Sequence, residues 1–396
     1  MKKKLYILLW MCCSVLLVAC EGDDPTPEPP AYGSRTVLIY LAADNSLSSQ
    51  VSADLQEMKE GVAKLNSSNI HLLVYIDAGG SPRLVELTKK NGEVVESLIK
   101  SYESRNSVGT AETLEVFNEV FSNNKFLADS YGLVYWSHGD GWVPNPLPTS
   151  RWVGQDTGNG THYMNITDLV TILKSAPHFD FLLFDACFMQ SIEVAYAVRN
   201  YTDYYIGSPT EIPGPGARYD ILVPAMFSEG DVALKTAVAY FDPYNENYDS
   251  GKGNTNLNWT GGVSVSLLKS SELERLANMT KQVLSGVANN TELRSKVFDY
   301  DKRSSFYSHV GYYDMVEMMR LLTDNSGFTA WKQVYDDAMT YWATTPMNYS
   351  AFADMFSMKG TNGVSHYIPT SNSSAISTAY RSTEWYEAAG LSKLGW

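Results

Sequence analysis

The feature that most constrains this fold is an alternation of short apolar runs with stretches of helical periodicity. Residues 37–41 are a continuous run of β-branched, aliphatic and aromatic side chains, which is typical of a strand buried on both faces. The next apolar side chains recur at steps of four and three, the spacing of one helix face, at Val51, Leu55, Met58, Val62 and Leu65. This alternation predicts an α/β fold, a mostly parallel sheet flanked by helices.

The same alternation continues along the chain and becomes more helical in the second half. Asn91-Gly92 suits a tight turn, so we predict a hairpin over residues 84–99. Further strands are predicted at residues 72–76, 132–136, 181–184 and 204–206 (the last completing the core sheet), and at 263–267 and 363–368. Helices are predicted at residues 110–122, 166–175, 191–199, 270–289, 312–322 and 328–342. The body then divides into a core, residues 35–260, and a C-terminal α+β region packed on it, residues 261–396.

The N-terminus has the pattern of an exported lipoprotein. Three lysines precede an apolar run over residues 5–19, which is too short for a membrane span and typical of a secretory signal. The run ends in Leu17-Val18-Ala19-Cys20, which resembles a bacterial lipobox, so we expect residues 1–19 to be a lipoprotein signal peptide and Cys20 to be acylated. Residues 20–34 are acidic and proline-rich, which predicts an extended tether.

The acidic residues after Cys20 resemble surface-export signals of some Gram-negative lipoproteins, with a plain solvated linker as the alternative. The expected location is the cell envelope, lipid-anchored at the outer membrane or cell surface of a Gram-negative bacterium. The lipid anchor would be the protein's only contact with the membrane.

Charge and cysteine content exclude several classes of function. The 30 basic and 44 acidic residues give a net charge of -14, so no nucleic-acid partner is expected. Three of the four cysteines lie in the first twenty residues, which leaves Cys187 and excludes a disulfide framework or a multi-cysteine zinc site in the body. The histidines have no metal-ligand spacing, and no phosphate-binding or dinucleotide-binding glycine motif occurs. We therefore expect no metal site and no nucleotide chemistry.

Two predicted strands end in polar sequences with small residues, at residues 136–142 and 185–187. The carboxyl ends of strands in an open α/β sheet line the crevice where ligands bind. A thiol is activated by an imidazole that takes its proton, so His138 and Cys187 form a candidate nucleophile and base. Gly139 has no side chain, so its backbone N–H can approach a developing oxyanion.

These motifs resemble the clostripain family of cysteine peptidases, in the clan that also contains caspases. The separation of 49 residues, histidine first, agrees with the caspase spacing. Further family blocks match over roughly residues 35–395, namely Asp44-Asn45-Ser46-Leu47 with the helix at 54–58, Ser208-Pro209-Thr210-Glu211 with 213–216, Tyr312-Tyr313-Asp314, and 363–369.

The resemblance implies a caspase-like peptidase core over residues 35–260, with His138 and Cys187 as catalytic dyad and Asp185 in a pocket for a basic P1 side chain. A carboxylate there offers a bidentate partner to guanidinium, although Asp185 could instead satisfy nearby backbone donors. Glu211 is a second substrate-binding candidate, against the alternative of an exposed carboxylate without a role. Asp140 departs from the family pattern, in which a small residue is common at this position.

Two further expectations come from the family. Some relatives cut themselves between the catalytic histidine and cysteine, and Arg151 follows a proline-rich stretch that makes it the candidate self-cleavage site. Calcium binding is expected only by analogy with family members that use calcium. The Asp- and Asn-rich segment 242–259 lacks the EF-hand glycine and the closing glutamate, so it is interpreted as a polar loop.

The leading hypothesis is a cysteine endopeptidase that forms a thioester acyl-enzyme and cleaves protein or peptide substrates after Arg or Lys, without a cofactor. The alternative is a noncatalytic cell-surface binding lipoprotein on a peptidase-like fold, since fold alone does not fix function. A structural envelope protein ranks last, because the sequence has no repeats.

Overall fold

The computed structural model describes residues 33–66, 69–144, 152–249, 259–287, 292–304, 309–371 and 373–396. The predicted signal peptide, residues 20–32 of the predicted tether, the expected acylation site Cys20 and the candidate self-cleavage site Arg151 therefore lie outside the described residues. The strands are β1 (Arg35–Ala42), β2 (Ile70–Asp77), β3 (Arg83–Lys90), β4 (Glu93–Ser101), β5 (Ser130–Trp136), β6 (Gly154–Asp156), β7 (His162–Met164), β8 (Phe179–Asp185), β9 (Thr202–Gly207), β10 (Ser264–Lys269), β11 (Tyr313–Asp314), β12 (Met339–Thr344), β13 (Met347–Ser350), β14 (Asp354–Ser357) and β15 (Ser365–His366).

The helices lie between these strands and after them. They are α1 (Val51–Ala63), α2 (Thr110–Phe121), α3 (Ile166–Leu173), α4 (Ile192–Val198), α5 (Tyr219–Met226), α6 (Val232–Glu246), α7 (Leu273–Val283), α8 (Leu293–Lys296), α9 (Met315–Leu322), α10 (Asn325–Ala338), α11 (Ala375–Tyr380) and α12 (Glu384–Ala388). Within the described ranges, no helix is both long enough and apolar enough to span a membrane.

The centre of the fold is a nine-stranded sheet in the order β12-β10-β9-β8-β5-β1-β2-β3-β4. The five middle strands, from β9 to β2, pair in parallel. Strands β3 and β10 run antiparallel to their neighbours, so the other seven strands point the same way. The predicted mostly parallel sheet flanked by helices is confirmed.

Strand β1 shows how the sheet separates two cores. Every residue after Arg35 in this strand is buried, as expected for a central parallel strand covered on both faces. Val37, Ile39 and Leu41 pack with α1, α5 and α6 on one face. Leu38 and Tyr40 face the opposite core, which includes α2, α3, α4 and helices of the C-terminal region. Helices cover both faces of the sheet but not the carboxyl ends of its parallel strands, and the site forms at these ends.

The predicted hairpin is confirmed, with Asn91 and Gly92 at positive φ between β3 and β4. Two predictions for the later chain are wrong. Residues 204–206 do not complete the sheet, because β9 pairs with β10, which pairs in turn with β12. The helix predicted at 328–342 ends at Ala338, and the next six residues, rich in threonine and aromatics, favour a strand instead. The C-terminal region thus contributes β10 and β12 to the core sheet.

Two helices were not predicted from the sequence because they contain proline. Helices α5 and α6 contain Pro224 and Pro243, residues that normally argue against a helix interior. Helix α6 reaches Glu246, so the first part of the segment interpreted as a polar loop is helical. Residues 363–368 form only the short strand β15, which pairs with β11.

Candidate active site

Three neighbouring parallel strands place the candidate catalytic side chains. The register aligns Trp136 at the end of β5 with Asp185 at the end of β8. His138 and Cys187 each lie two residues beyond these aligned ends, so the sheet places both chain segments at the same edge. Strand β1 lies on the other side of β5, and its following loop carries Ser46.

The strand ends surround a cavity of about 390 Å³. The structure brings together around it every predicted site residue that lies within the described ranges. These lining residues are His138, Gly139, Asp185, Cys187 and Glu211. Aromatic and other apolar side chains complete the wall, including Trp136, Trp152, Ile212, Trp259 and Phe352.

The residue after Cys187 has an unusual backbone conformation. Phe188 has a φ of 59°, in the left-handed region that a bulky residue rarely adopts and that costs about 1–3 kcal/mol. Its N–H donates to the Thr210 carbonyl at 2.9 Å, and its ring stacks on Tyr312. A backbone hydrogen bond and a ring contact of Phe188 therefore stabilise the strained turn, which places Cys187 at the cavity.

Burial disfavours the charged form of both Cys187 and His138. Burial raises the pKa of the Cys187 thiol to about 12, and the nearby Glu211 carboxylate adds to the rise. The Ile212 N–H, 3.4 Å from the sulfur, opposes it. Burial also lowers the pKa of His138, which favours a neutral imidazole. A neutral thiol beside a neutral base matches general-base activation during attack.

The sequence did not identify the partner of His138. The Ser46 hydroxyl lies 2.8 Å from Nε2 of His138, within hydrogen-bond distance. Asn45 fixes this turn, since its side-chain amide donates to the Ala42 carbonyl at 3.0 Å and its Oδ1 accepts from the Leu47 N–H at 2.9 Å. Ser46 belongs to a family block noted in the sequence, but nothing in that block indicated contact with the histidine.

Gly139 is required by close packing as well as by backbone access. A Cβ at this position would lie 2.7 Å from the Ala186 Cβ and 2.9 Å from the Cys187 carbonyl oxygen. Any side chain would therefore push the histidine loop away from the segment that carries Cys187.

Asp140, the residue that departs from the family pattern, is neutralised by a residue the sequence did not single out. Arg303 is nearly buried, and its guanidinium contacts Asp140 and Asp301, each at 2.6 Å. It also lies 4.7 Å from the Phe188 ring centre. Arg303 therefore links the histidine loop to the turn after Cys187. It follows a stretch without a predicted element or motif, so the sequence offered no signal for it.

Asp185 is fully buried at the cavity wall and is already hydrogen bonded. Its Oδ2 accepts from the Ala217 N–H and the Tyr219 hydroxyl, both at 2.9 Å, and its Oδ1 accepts from the Tyr240 hydroxyl at 2.6 Å. Burial raises its pKa, and these three bonds oppose the rise. They fill three of roughly four acceptor positions of a carboxylate, so the bidentate pairing expected from the sequence requires displacing a donor.

Glu211 is better placed for a new partner than Asp185. Its Oε1 accepts from the Ala351 N–H at 3.0 Å. Its Oε2 is buried and has no hydrogen-bond partner among the described residues. Burial raises the pKa of this carboxyl group, and hydrogen bonding by the Ser350 side chain and the Ala351 N–H opposes the rise. An incoming hydrogen-bond donor in the cavity would satisfy the Oε2 atom.

The described residues contain no group of three or more His, Cys, Asp or Glu side chains arranged to hold a metal ion. The site instead combines a thiol, an imidazole and carboxylates at the carboxyl ends of a parallel sheet. Such a set fits a cysteine hydrolase, in which sulfur attacks a carbonyl and the imidazole transfers protons.

Comparison with known proteins identifies the family. The family model for the clostripain family matches residues 39–396. Clostripain from Hathewaya histolytica is 26% identical over 446 residues, covering 91% of this chain and 80% of that protein. A secreted C11 cysteine protease from Bacteroides thetaiotaomicron, solved with an irreversible peptide inhibitor, is 46% identical with a TM-score of 0.84 and covers 91% of this chain and 100% of its own. An inactive zymogen C11 protease from Parabacteroides distasonis is 31% identical with a TM-score of 0.77, covering 91% and 99%.

The chain therefore belongs to the clostripain family and is a cysteine peptidase, a hydrolase that acts on protein or peptide substrates. Its sheet is of the caspase-like α/β type found in the matched protease structures. The noncatalytic binding lipoprotein is not favoured.

Proposed function

We propose that this chain is an endopeptidase in which Cys187 is the nucleophile and His138 is the general base and acid. One observation supports this assignment above the others. The two residues lie at equal distances past register-aligned ends of β5 and β8 and line one cavity. No other cysteine occurs after residue 20.

The reaction has two balanced stages. His138 takes the thiol proton as the Cys187 sulfur bonds to the scissile carbonyl carbon, and the Gly139 N–H faces the developing oxyanion. His138 then gives the proton to the amine, the C–N bond breaks, and a thioester remains on Cys187. Water, deprotonated by His138, attacks the thioester and releases the carboxylic acid product and the thiol. No cofactor enters these steps.

Hydrolysis of short fluorogenic peptides tests the dyad. Cys187→Ala and His138→Ala should each abolish hydrolysis while circular dichroism shows an intact fold, because the two residues act as a unit. His178→Ala is a matched control, since His178 is exposed and pairs with Asp203 at 2.9 Å, away from the cavity. Activity of Cys187→Ala comparable to wild type would refute the assignment.

The lining of the same cavity supports the proposal that the enzyme cleaves after Arg or Lys. Asp185 and Glu211 place two carboxyl groups in its wall, and Oε2 of Glu211 lacks a partner among the described residues. A basic P1 side chain would be neutralised there and would satisfy that oxygen. Asp185 would add negative charge at the wall rather than a two-pronged contact, because its oxygens already accept three hydrogen bonds.

Paired substrates that differ only at P1 test this specificity. Asp185→Asn and Glu211→Gln should each lower kcat/KM for an Arg substrate far more than for an apolar one. Tyr240 can turn its hydroxyl to accept from the amide that replaces the carboxylate, so Asp185→Asn should fold; Glu211→Gln tests the pocket independently. Equal losses on both substrates would remove that residue from the specificity pocket.

We also propose that Cys20 carries a lipid that anchors the peptidase to the cell envelope, at the outer membrane or cell surface. The lipobox pattern supports this, and the matched Bacteroides protease is a secreted enzyme. Radiolabelled palmitate should enter wild type and Cys12→Ser but not Cys20→Ser. Label retained by Cys20→Ser would refute the anchor.

A further inference from the structure

A second cavity, of about 530 Å³, lies in the helical layer away from the catalytic cavity. Helices α3 and α4 form one side, and α11, α12 and the turn between them form the other. The loop after β5 closes it with Trp142 and Pro144. No described residue lines both cavities, and this volume is in the range of small-molecule sites.

Two buried polar atoms belong to residues that line this second cavity. Oε2 of Glu193 and Nε1 of Trp142 have no hydrogen-bond partner among the described residues, and these side chains are 3% and 4% exposed. Oε1 of Glu193 accepts from the Tyr367 N–H at 2.8 Å, so one carboxyl oxygen is fixed and the other is left over. Buried polar atoms are almost always paired, and an unpaired one costs about 1–3 kcal/mol.

The titration of Glu193 agrees with this geometry. Burial raises the pKa of its carboxyl group to about 7, although the Tyr367 N–H and the nearby Ser191 hydroxyl oppose the rise. The last torsion of a glutamate is broad, so the unpaired oxygen can adjust toward a donor on a ligand while the other oxygen keeps its bond to the Tyr367 N–H.

The remaining lining defines the shape of the ligand. Ile166, Val170 and Ala197 give apolar walls, and the exposed Thr171 and Lys174 lie at the mouth. A fitting ligand needs an aliphatic body and an inner polar group. That group must donate one hydrogen bond, to the carboxylate, and accept one, from the indole.

An amide meets both requirements with adjacent atoms. We propose that this cavity binds a free, uncharged amide of about dipeptide size with an aliphatic side chain, its N–H donating to Glu193 and its carbonyl accepting from Trp142. This cavity is separate from the cavity proposed for peptide hydrolysis. Because the ligand is uncharged, it cannot form an ion pair with the carboxylates of the catalytic cavity.

Calorimetric titration with N-acetyl-leucine methylamide tests the proposal. The Cys187→Ala chain is used throughout so that no ligand is hydrolysed. Saturable binding of one equivalent is expected, and N-acetyl-N-methyl-leucine dimethylamide, in which both amide nitrogens are methylated and no N–H remains, should bind at least tenfold more weakly. Absence of saturable binding, or equal affinity for the two compounds, would overturn the proposal.

Two threonine variants locate the site. The hydroxyls of Thr171 and Thr378 each donate to the carbonyl four residues earlier in the chain, and both residues are exposed, so a tryptophan is tolerated at either position. Thr171→Trp fills the mouth and should weaken amide binding at least tenfold, whereas Thr378→Trp, outside the cavity, should bind like the parent. Equal affinities of these two variants would place the ligand elsewhere and overturn the assignment.

Discussion

Removal of the Ser46 hydroxyl should slow catalysis without weakening substrate binding. Its contact with Nε2 of His138, at 2.8 Å, leaves Nδ1 as the ring nitrogen available for proton transfer. Ser46 itself does not line the catalytic cavity, so it meets the substrate only through the histidine. It is a positioning residue, and Ser46→Ala tests that role.

The size of the effect follows from a single hydrogen bond. One such bond contributes about 0.5–1.5 kcal/mol net, and a tenfold rate change corresponds to about 1.4 kcal/mol, so kcat should fall about 2- to 12-fold. KM should stay near the wild-type value. Ser46→Thr keeps the hydroxyl and should restore most of the rate, which a purely structural role of the side chain would not explain.

The assay measures kcat and KM separately on one Arg fluorogenic peptide. Ser49→Ala is the matched control, because Ser49 is an exposed serine on the same turn. The reasoning is refuted if Ser46→Ala keeps the wild-type kcat, if the loss lies entirely in KM, or if Ser49→Ala loses as much activity.

Three further predictions follow from charge and burial. Glu211→Gln should speed iodoacetamide alkylation of Cys187 at fixed pH, because the Glu211 carboxylate raises the pKa of the thiol; an unchanged rate would argue against that coupling. Burial lowers the pKa of His366 to about 3, so the unfolded chain takes up a proton that the folded chain does not as pH falls below about 6.5. The free energy of unfolding, measured with urea between pH 5.5 and 4.5, should therefore fall with pH by about 1.3 kcal/mol per pH unit more in wild type than in His366→Gln. Equal slopes for the two chains would contradict this. Arg151→Ala should remain one chain on a denaturing gel while active wild type yields two fragments; wild type intact under conditions of full activity would show that processing is not needed.

The parallel core could be predicted because its strands are short, buried on both faces and followed by amphipathic helices. Residues 132–136 and 181–184 fall within β5 and β8, and the two polar sequences after them lie at the cavity as expected. Local periodicity was sufficient here, because neighbouring parallel strands place their carboxyl ends together whatever the intervening chain does.

The outer sheet could not be predicted, because its pairing depends on contacts distant in sequence. Strand β12 follows α10 without a break at Met339, and its pairing with β10 across the sheet fixes the point at which the chain becomes extended. The same limit applies to the site. Ser46 and Arg303 reach His138 and Asp140 across 92 and 163 positions of the chain. No short motif reports such contacts.

The charged groups around Cys187 also affect the step at which the thiol loses its proton. In the proposed specificity, Asp185 and Glu211 receive a basic substrate side chain. Glu211 and Asp140 also raise the pKa of the thiol, and Arg303 offsets only part of that rise. Burial lowers the pKa of His138, so the imidazole does not favour holding a proton before attack. A preformed thiolate and imidazolium pair is therefore disfavoured on both sides, and in the proposed mechanism the proton transfers in the step in which sulfur attacks the carbonyl. Since no ion pair aligns the two side chains at rest, the orientation of the imidazole depends on Ser46, and this is why one exposed hydroxyl is expected to affect the rate.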